Sequence, residues 1–175
     1  MFQPGELVVY GMTGVCRVEE ITRPNLSGPD RNKTYYLLKP LHQDGVIYAP
    51  VENAKVPMRP VISAEEAEAL IDQIPTINAE VYRGPTLQAL AQHYQSAMRA
   101  GNCLELLTLT MSIYAKRRQA EAQNRRLGML DERYMKQAEQ LLHGELAAAL
   151  DIPLEEVQPY IARRVAERQA TAQAQ

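Results

Sequence analysis

The residues best suited to chemistry gather in one short run. Lys116 to Arg126 (KRRQAEAQNRR) holds Lys116, Arg117, Arg118, Arg125 and Arg126 against the single acid Glu121, a local balance of +4 in a 175-residue chain whose formal charge is −2. Guanidinium groups bond phosphate oxygens through paired N–H donors, so such a run suits a nucleic-acid backbone without reading its bases. It equally suits a solvated helix C-terminus, where the macrodipole favours cations. Other chemistry has less to work with. His42, His93 and His143 have no partner at metal-ligand spacing, and Cys16 and Cys103 stand far from each other and from them. All three histidines are therefore read as surface or partly buried side chains, and no metal is expected. Gly11 and Gly14 separate two strand-like runs, as a tight turn requires, and do not form a phosphate-cradling loop. Glu65, Glu66, Glu155 and Glu156 sit where helix first turns favour negative charge. No catalytic residue and no cofactor is expected, and the chain is not read as an enzyme.

Composition narrows the class. Hydrophobic residues make up 46% and charged residues 23%, an ordinary globular balance. With 19 Lys plus Arg against 21 Asp plus Glu, a uniformly basic nucleic-acid coat is excluded, though a local patch is not. Two separated cysteines build no disulfide framework, which fits a reducing compartment. No apolar run approaches the roughly 18 residues of a membrane span, and MFQPGELVVY lacks the basic segment of a signal peptide. The expected address is the cytoplasm.

Two unlike halves must position these residues. Up to about Ile62 the chain is rich in Gly, Pro, Tyr and Val; after Ser63 it is rich in Ala, Leu, Gln, Glu and Arg. Strands are predicted at Glu6–Tyr10, Val15–Ile21, Thr34–Leu41 and Val46–Pro50, with Pro40 ending a strand or lying at an edge. Arg23 to Lys33 reads as a loop and Gln43-Asp44-Gly45 as a turn. Four or five short strands in such a length bury a core only by curling into a small barrel. An edge strand of that barrel could accept a foreign strand; Tyr35, Tyr36 and Tyr48 could sit beside the edge, although the core is the commoner place for them.

The second half opens on Ser63-Ala64-Glu65-Glu66, a capping box for a helix that Pro75 stops after Ile74. Thr76 to Pro85 reads as a linker. A second helix from Thr86 to Gly101 carries Leu87, Leu90, Ala91, Tyr94 and Met98. A third, Cys103 to Asn124, carries Leu107, Met111 and Tyr114. A fourth from about Asp131 carries Tyr134, Ala138, Leu141, Leu142 and Leu146. Pro153 starts a fifth with Val157, Ile161 and Val165. The expected fold is α+β in two modules: a small β-barrel over 1–62, a bundle of about five helices over 63–168, and a polar tail over 169–175.

The opening Phe2-Gln3-Pro4-Gly5-Glu6-Leu7-Val8-Val9-Tyr10, with Gly14-Val15 after a short turn, resembles the start of the CarD/CdnL family of bacterial transcription regulators. Tyr35-Tyr36-Leu37-Leu38, Ile47 to Ala54 (IYAPVENA), Arg59 to Ser63 and Ala138 to Ala147 (AEQLLHGELA) continue the likeness in order. The resemblance implies a Tudor/SH3-like RNA-polymerase-interaction module, of the kind shared with the transcription-repair coupling factor, followed by a helical DNA-contacting domain. It implies docking by strand pairing on the polymerase β subunit, with Arg23, Tyr35 and Tyr48 near the contact. It further implies weak backbone contact with promoter DNA and an effect on open-complex stability. The chain would act as a monomer, away from any membrane. Family members carry a tryptophan wedge near the start of the helical domain, and this chain has no tryptophan. The segment INAEVYRGP offers Val81, Tyr82 and Arg83 instead, beside the basic candidates Lys116, Arg117, Arg118, Arg125 and Arg126. Two further readings remain at this stage: an adaptor whose barrel grips another protein while its helices never touch DNA, and a small hydrolase whose cleft would be lined by perturbed carboxylates.

Overall fold

The computed structural model describes residues 1–25 and 27–174. Leu26, inside the loop expected over Arg23 to Lys33, and Gln175, at the end of the expected tail, lie outside the described residues. The chain divides into two units, Met1–Val61 and Ile62–Gln175.

The first unit is one antiparallel sheet. Its strands are β1 (Leu7–Tyr10), β2 (Gly14–Thr22), β3 (Tyr35–Pro40), β4 (Ile47–Pro50) and β5 (Met58–Pro60), in the spatial order β4-β3-β2-β1-β5. The expected barrel does not close: β4 and β5 are the two edges, because three- and four-residue strands are too short to reach round and pair. Between β1 and β2 the chain makes a 3-10 turn over Gly11–Thr13. Gly11 has φ +46°, and a Cβ there would meet Val56 Cγ1 at 2.5 Å, so no larger residue fits.

Burial follows the strand period with one informative slip. Cys16 and Val18 face inward two residues apart, yet the next inward apolar residue, Ile21, comes three later. The register shifts between Val18 and Glu20, a β-bulge that absorbs the extra residue Glu19 and returns Ile21 to the core side. Val8, Cys16, Val18, Tyr36, Leu38 and Ala49 form the buried centre, with Phe2, Tyr10, Ile47, Val51 and Met58 around it. The Phe2 N–H donates to the Tyr36 hydroxyl at 3.1 Å and the two rings meet edge-on, which ties the N-terminus to the sheet.

The second unit contains α1 (Ala64–Asp72), α2 (Leu87–Ala100), α3 (Cys103–Ala122), α4 (Met129–Leu150) and α5 (Val157–Gln173). The capping box forms: the Glu66 N–H donates to Ser63 Oγ at 3.0 Å, and the Ser63 N–H donates to Glu66 Oε1 at 3.4 Å. Thr86 and Asn102 cap α2 and α3 through their side chains, and Gly101 ends α2 in the left-handed region. Leu90, Tyr94, Met98, Leu106, Leu107, Ile113, Tyr134, Ala138, Leu142, Leu146 and Val157 belong to the common core.

Two expected inward residues are outside. Leu87 is 74% exposed because the α2 stripe begins to pack one turn later, at Leu90. Tyr114 is 48% exposed because the buried line on α3 passes through Ile113. Pro153 precedes a 3-10 turn at Leu154–Glu156, so α5 proper starts at Val157; it then runs on through the segment expected as a frayed tail. At the entrance to this unit the Ile62 N–H donates to Glu145 Oε2 at 3.0 Å, and the Cys103 thiol donates to Glu145 Oε1 at 3.1 Å. Both bonds satisfy a carboxylate that is buried on α4.

Candidate functional site

The two edges of the sheet differ in what they offer. The Val51 N–H donates to the Thr34 carbonyl at 2.9 Å, and Ile47 and Ala49 pair opposite Leu38 and Tyr36. Antiparallel pairing alternates, so the main-chain groups of Val46, Tyr48 and Pro50 point away from β3. The rim of β4 thus presents the Tyr48 N–H and C=O with an unblocked carbonyl at Pro50, flanked by the exposed side chains of Val46 and Tyr48. β5 is less open. It has three residues, ends in Pro60, and its Arg59 guanidinium donates to the Pro60 carbonyl at 3.2 Å.

Tyr48 lies on the edge strand β4, Tyr35 on the adjacent β3, and Arg23 just past the end of β2. Tyr48 pairs with Leu37, Tyr35 pairs with both Pro50 and Thr22, and Arg23 follows Thr22 directly. By register Tyr35 and Tyr48 share the outer face as diagonal neighbours. Their exposures differ: Tyr48 is 50% exposed and Tyr35 only 8%, while Tyr36 is a core residue.

The basic run does not form one face. The Lys116 ammonium turns into the helical unit and bonds Asp131 Oδ1 at 2.9 Å, with both side chains largely buried. The same oxygen accepts the Tyr94 hydroxyl at 2.5 Å. Burial, reinforced by the Asp131 carboxylate, raises the Tyr94 phenol far above its ordinary range, so it stays a hydrogen-bond donor. Arg118 lies over the Tyr114 ring at 5.1 Å and lines a separate groove with it. Arg117 is partly buried on α3. Arg125 and Arg126 lie past the helix end, where they line a hollow of ≈ 240 Å³ together with Arg83 and Lys116.

Tyr82 is not a free ring. It is partly buried against the helical core and stacks on His93, with centroids 3.7 Å apart and planes 9° from parallel. Desolvation lowers the His93 pKa, which favours the neutral imidazole in that stack. Leu87 is an exposed apolar side chain close to Arg83. It lines, with Arg83 and Lys116, a second hollow of ≈ 380 Å³ at the start of α2. Its helical spacing from Leu90 concealed it in the sequence, because period alone cannot tell where packing begins.

Among the described residues no group of His, Cys, Asp and Glu could hold a metal ion, and no helix is long and apolar enough to cross a membrane. The Asp72 carboxyl is held below its ordinary pKa chiefly by the hydrogen bond from Arg164, and this ion pair ties α1 to α5.

No curated protein matches the chain. Residues 2–62 match the CarD-like/TRCF RID domain, a non-catalytic RNA-polymerase-interaction domain, and the match covers the whole described sheet. The N-terminal unit is thus similar to the RNA-polymerase-interaction domain of CarD-like proteins and the transcription-repair coupling factor.

Proposed function

We propose that this protein is a transcription regulator that docks on the β subunit of bacterial RNA polymerase by lending the rim of β4 to a polymerase strand. Its helical unit then approaches the promoter DNA backbone and stabilises the open complex. The observation that carries the reading is the edge position of β4, whose outward groups at Tyr48 and Pro50 suit main-chain pairing. The shorter, self-bonded β5 is the poorer acceptor. Support for the DNA arm comes from the arginines around the α3–α4 corner, which suit phosphates, and from Leu87, an exposed apolar side chain sharing a hollow with Arg83, of the kind that props open a base step. A chain that binds the open complex more tightly than the closed one shifts the population by that difference in affinity.

The test uses the full chain and purified polymerase. Replacing Tyr48 by proline removes an outward N–H that β3 does not use, so the sheet tolerates it as an edge proline. Tyr48→Pro is expected to weaken docking about tenfold or more, while Tyr48→Ala, which keeps the N–H, loses less. Equal docking by Tyr48→Pro and the unsubstituted chain contradicts the strand-pairing reading. The adaptor reading, in which the helices never meet DNA, draws on the missing tryptophan; open-complex lifetimes unchanged by the bound protein decide for it.

A further inference from the structure

Three guanidinium groups from two distant stretches of sequence meet at one corner of the helical unit. Arg83 comes from the extended segment before α2, and Arg125 and Arg126 come from the α3–α4 turn; all three are exposed and line the same ≈ 240 Å³ hollow. We propose that this hollow is a seat for a single phosphate group, held by Arg83, Arg125 and Arg126. The proposal rests on the functional reading above only in taking DNA as one of two sources of that phosphate.

The charge balance selects an anion. Lys116 and Asp131 also line the hollow but neutralise each other at 2.9 Å, which leaves the three arginines uncompensated there. The backbone fixes where two of them stand. Asn124 is left-handed at φ +56°, its N–H donates to the Glu121 carbonyl at 3.0 Å, and the Arg125 N–H reaches back to the Ala120 carbonyl at 2.8 Å. This closes the C-terminus of α3 in a Schellman-type turn. Leu127 is buried directly after Arg126 and pins the far side of the turn. Arg83 is steadied by donating to Gln119 Oε1 at 2.6 Å, which leaves its remaining donors for a ligand.

The floor of the hollow adds to this. α4 begins at the edge of the same hollow, at Gly128, with no side chain capping its first N–H groups. A helix start of this kind favours negative charge, although Asp131 already occupies part of that field. Guanidiniums arriving from two chain segments match the tetrahedrally arranged oxygens of a phosphate better than the flat carboxylate. The space admits a phosphate with several waters, each needing about 30 Å³.

Two probes separate the sources: inorganic pyrophosphate, followed by titration calorimetry, and a fluorescein-labelled forked promoter duplex, followed by anisotropy across a salt series. The full-length chain is compared with Arg83→Gln, with the double variant Arg125→Gln/Arg126→Gln, and with Arg118→Gln in the separate groove. The double variant is expected to weaken the affected probe about tenfold and, for the duplex, to reduce the slope of log K against log salt by about one, since one phosphate contact is lost. Arg83→Gln should act in the same direction, and Arg118→Gln should stay within about twofold of the unsubstituted chain. Losses confined to the duplex assign the seat to a DNA phosphate. Losses confined to pyrophosphate assign it to a free phosphate-bearing molecule. Loss of both, with pyrophosphate displacing the duplex, makes the seat common to them. Undiminished binding by the double variant, an equal loss from Arg118→Gln, or no binding of either probe overturns the proposal. Docking of the same variants on polymerase without DNA reports on the β4 rim separately, so failure of one reading is not mistaken for failure of the other.

Discussion

At the scale of single residues, exposure separates Leu87 from Tyr82. Leu87 stands free at the first turn of α2, while the Tyr82 ring is spent on His93. If Leu87 wedges DNA, Leu87→Ala shortens the open-complex lifetime several-fold and Leu87→Trp lengthens it, because a larger flat side chain props an unstacked step better. Tyr82→Ala should instead cost about 1 kcal/mol of stability from the lost stacking, read as a lower Tm. Cys16 supplies a check on the sheet core. Its thiol is fully buried and pushed up to about 11 by desolvation. It should therefore resist iodoacetamide at pH 8 in the native protein and react once denaturant opens the sheet. The sequence placed Cys16 in a strand, but its inertness depends on neighbours brought in from other strands.

At the scale of elements, local signals were the readable ones. Ser63 and Glu66 announce α1, Gly101 ends α2, and the spacing of Cys16, Val18 and Ile21 already contained the step that the bulge at Glu19 absorbs. Ser63→Ala should lower stability by about 1 kcal/mol, measured by denaturant unfolding. What local pattern could not show is how cations divide among partners. Lys116 sits in the same basic run as Arg125, yet its ammonium belongs to Asp131, which lies on the next helix. The α1–α5 clamp is similar: Arg164 makes a two-pronged contact with Asp72, at 2.8 and 2.9 Å. The Asp72 pKa is lowered in the fold, so its contribution is present above the unfolded carboxylate value and lost as pH falls through the folded one. Arg164→Ala should cost about 1 kcal/mol at pH 7, given the partial exposure of the pair, and this cost should shrink as pH falls below the ordinary carboxylate range and Asp72 is protonated.

At the scale of the whole molecule, the division of labour follows from composition. A β-branched, aromatic first half and an Ala- and Leu-rich second half each build their own core, and that much was legible from residue types alone. The candidate sites were less so. The β4 rim depends on which strands become edges, and the arginine hollow draws its arginines from two stretches of chain about 40 residues apart. A net charge of −2 leaves little long-range attraction for DNA, so the free chain should bind duplex weakly and lose it steeply with salt. Attachment to polymerase would raise the local concentration enough to make a few phosphate contacts count.

Amide hydrogen exchange at Tyr48, followed in the free chain and in its complex with RNA polymerase, interrogates the β4 rim directly. In the free chain this amide should exchange fast while those of Ile47 and Ala49, bonded to β3, exchange slowly; in the complex it should slow by about tenfold or more. A complex that forms while the Tyr48 amide keeps its fast exchange contradicts strand addition at β4.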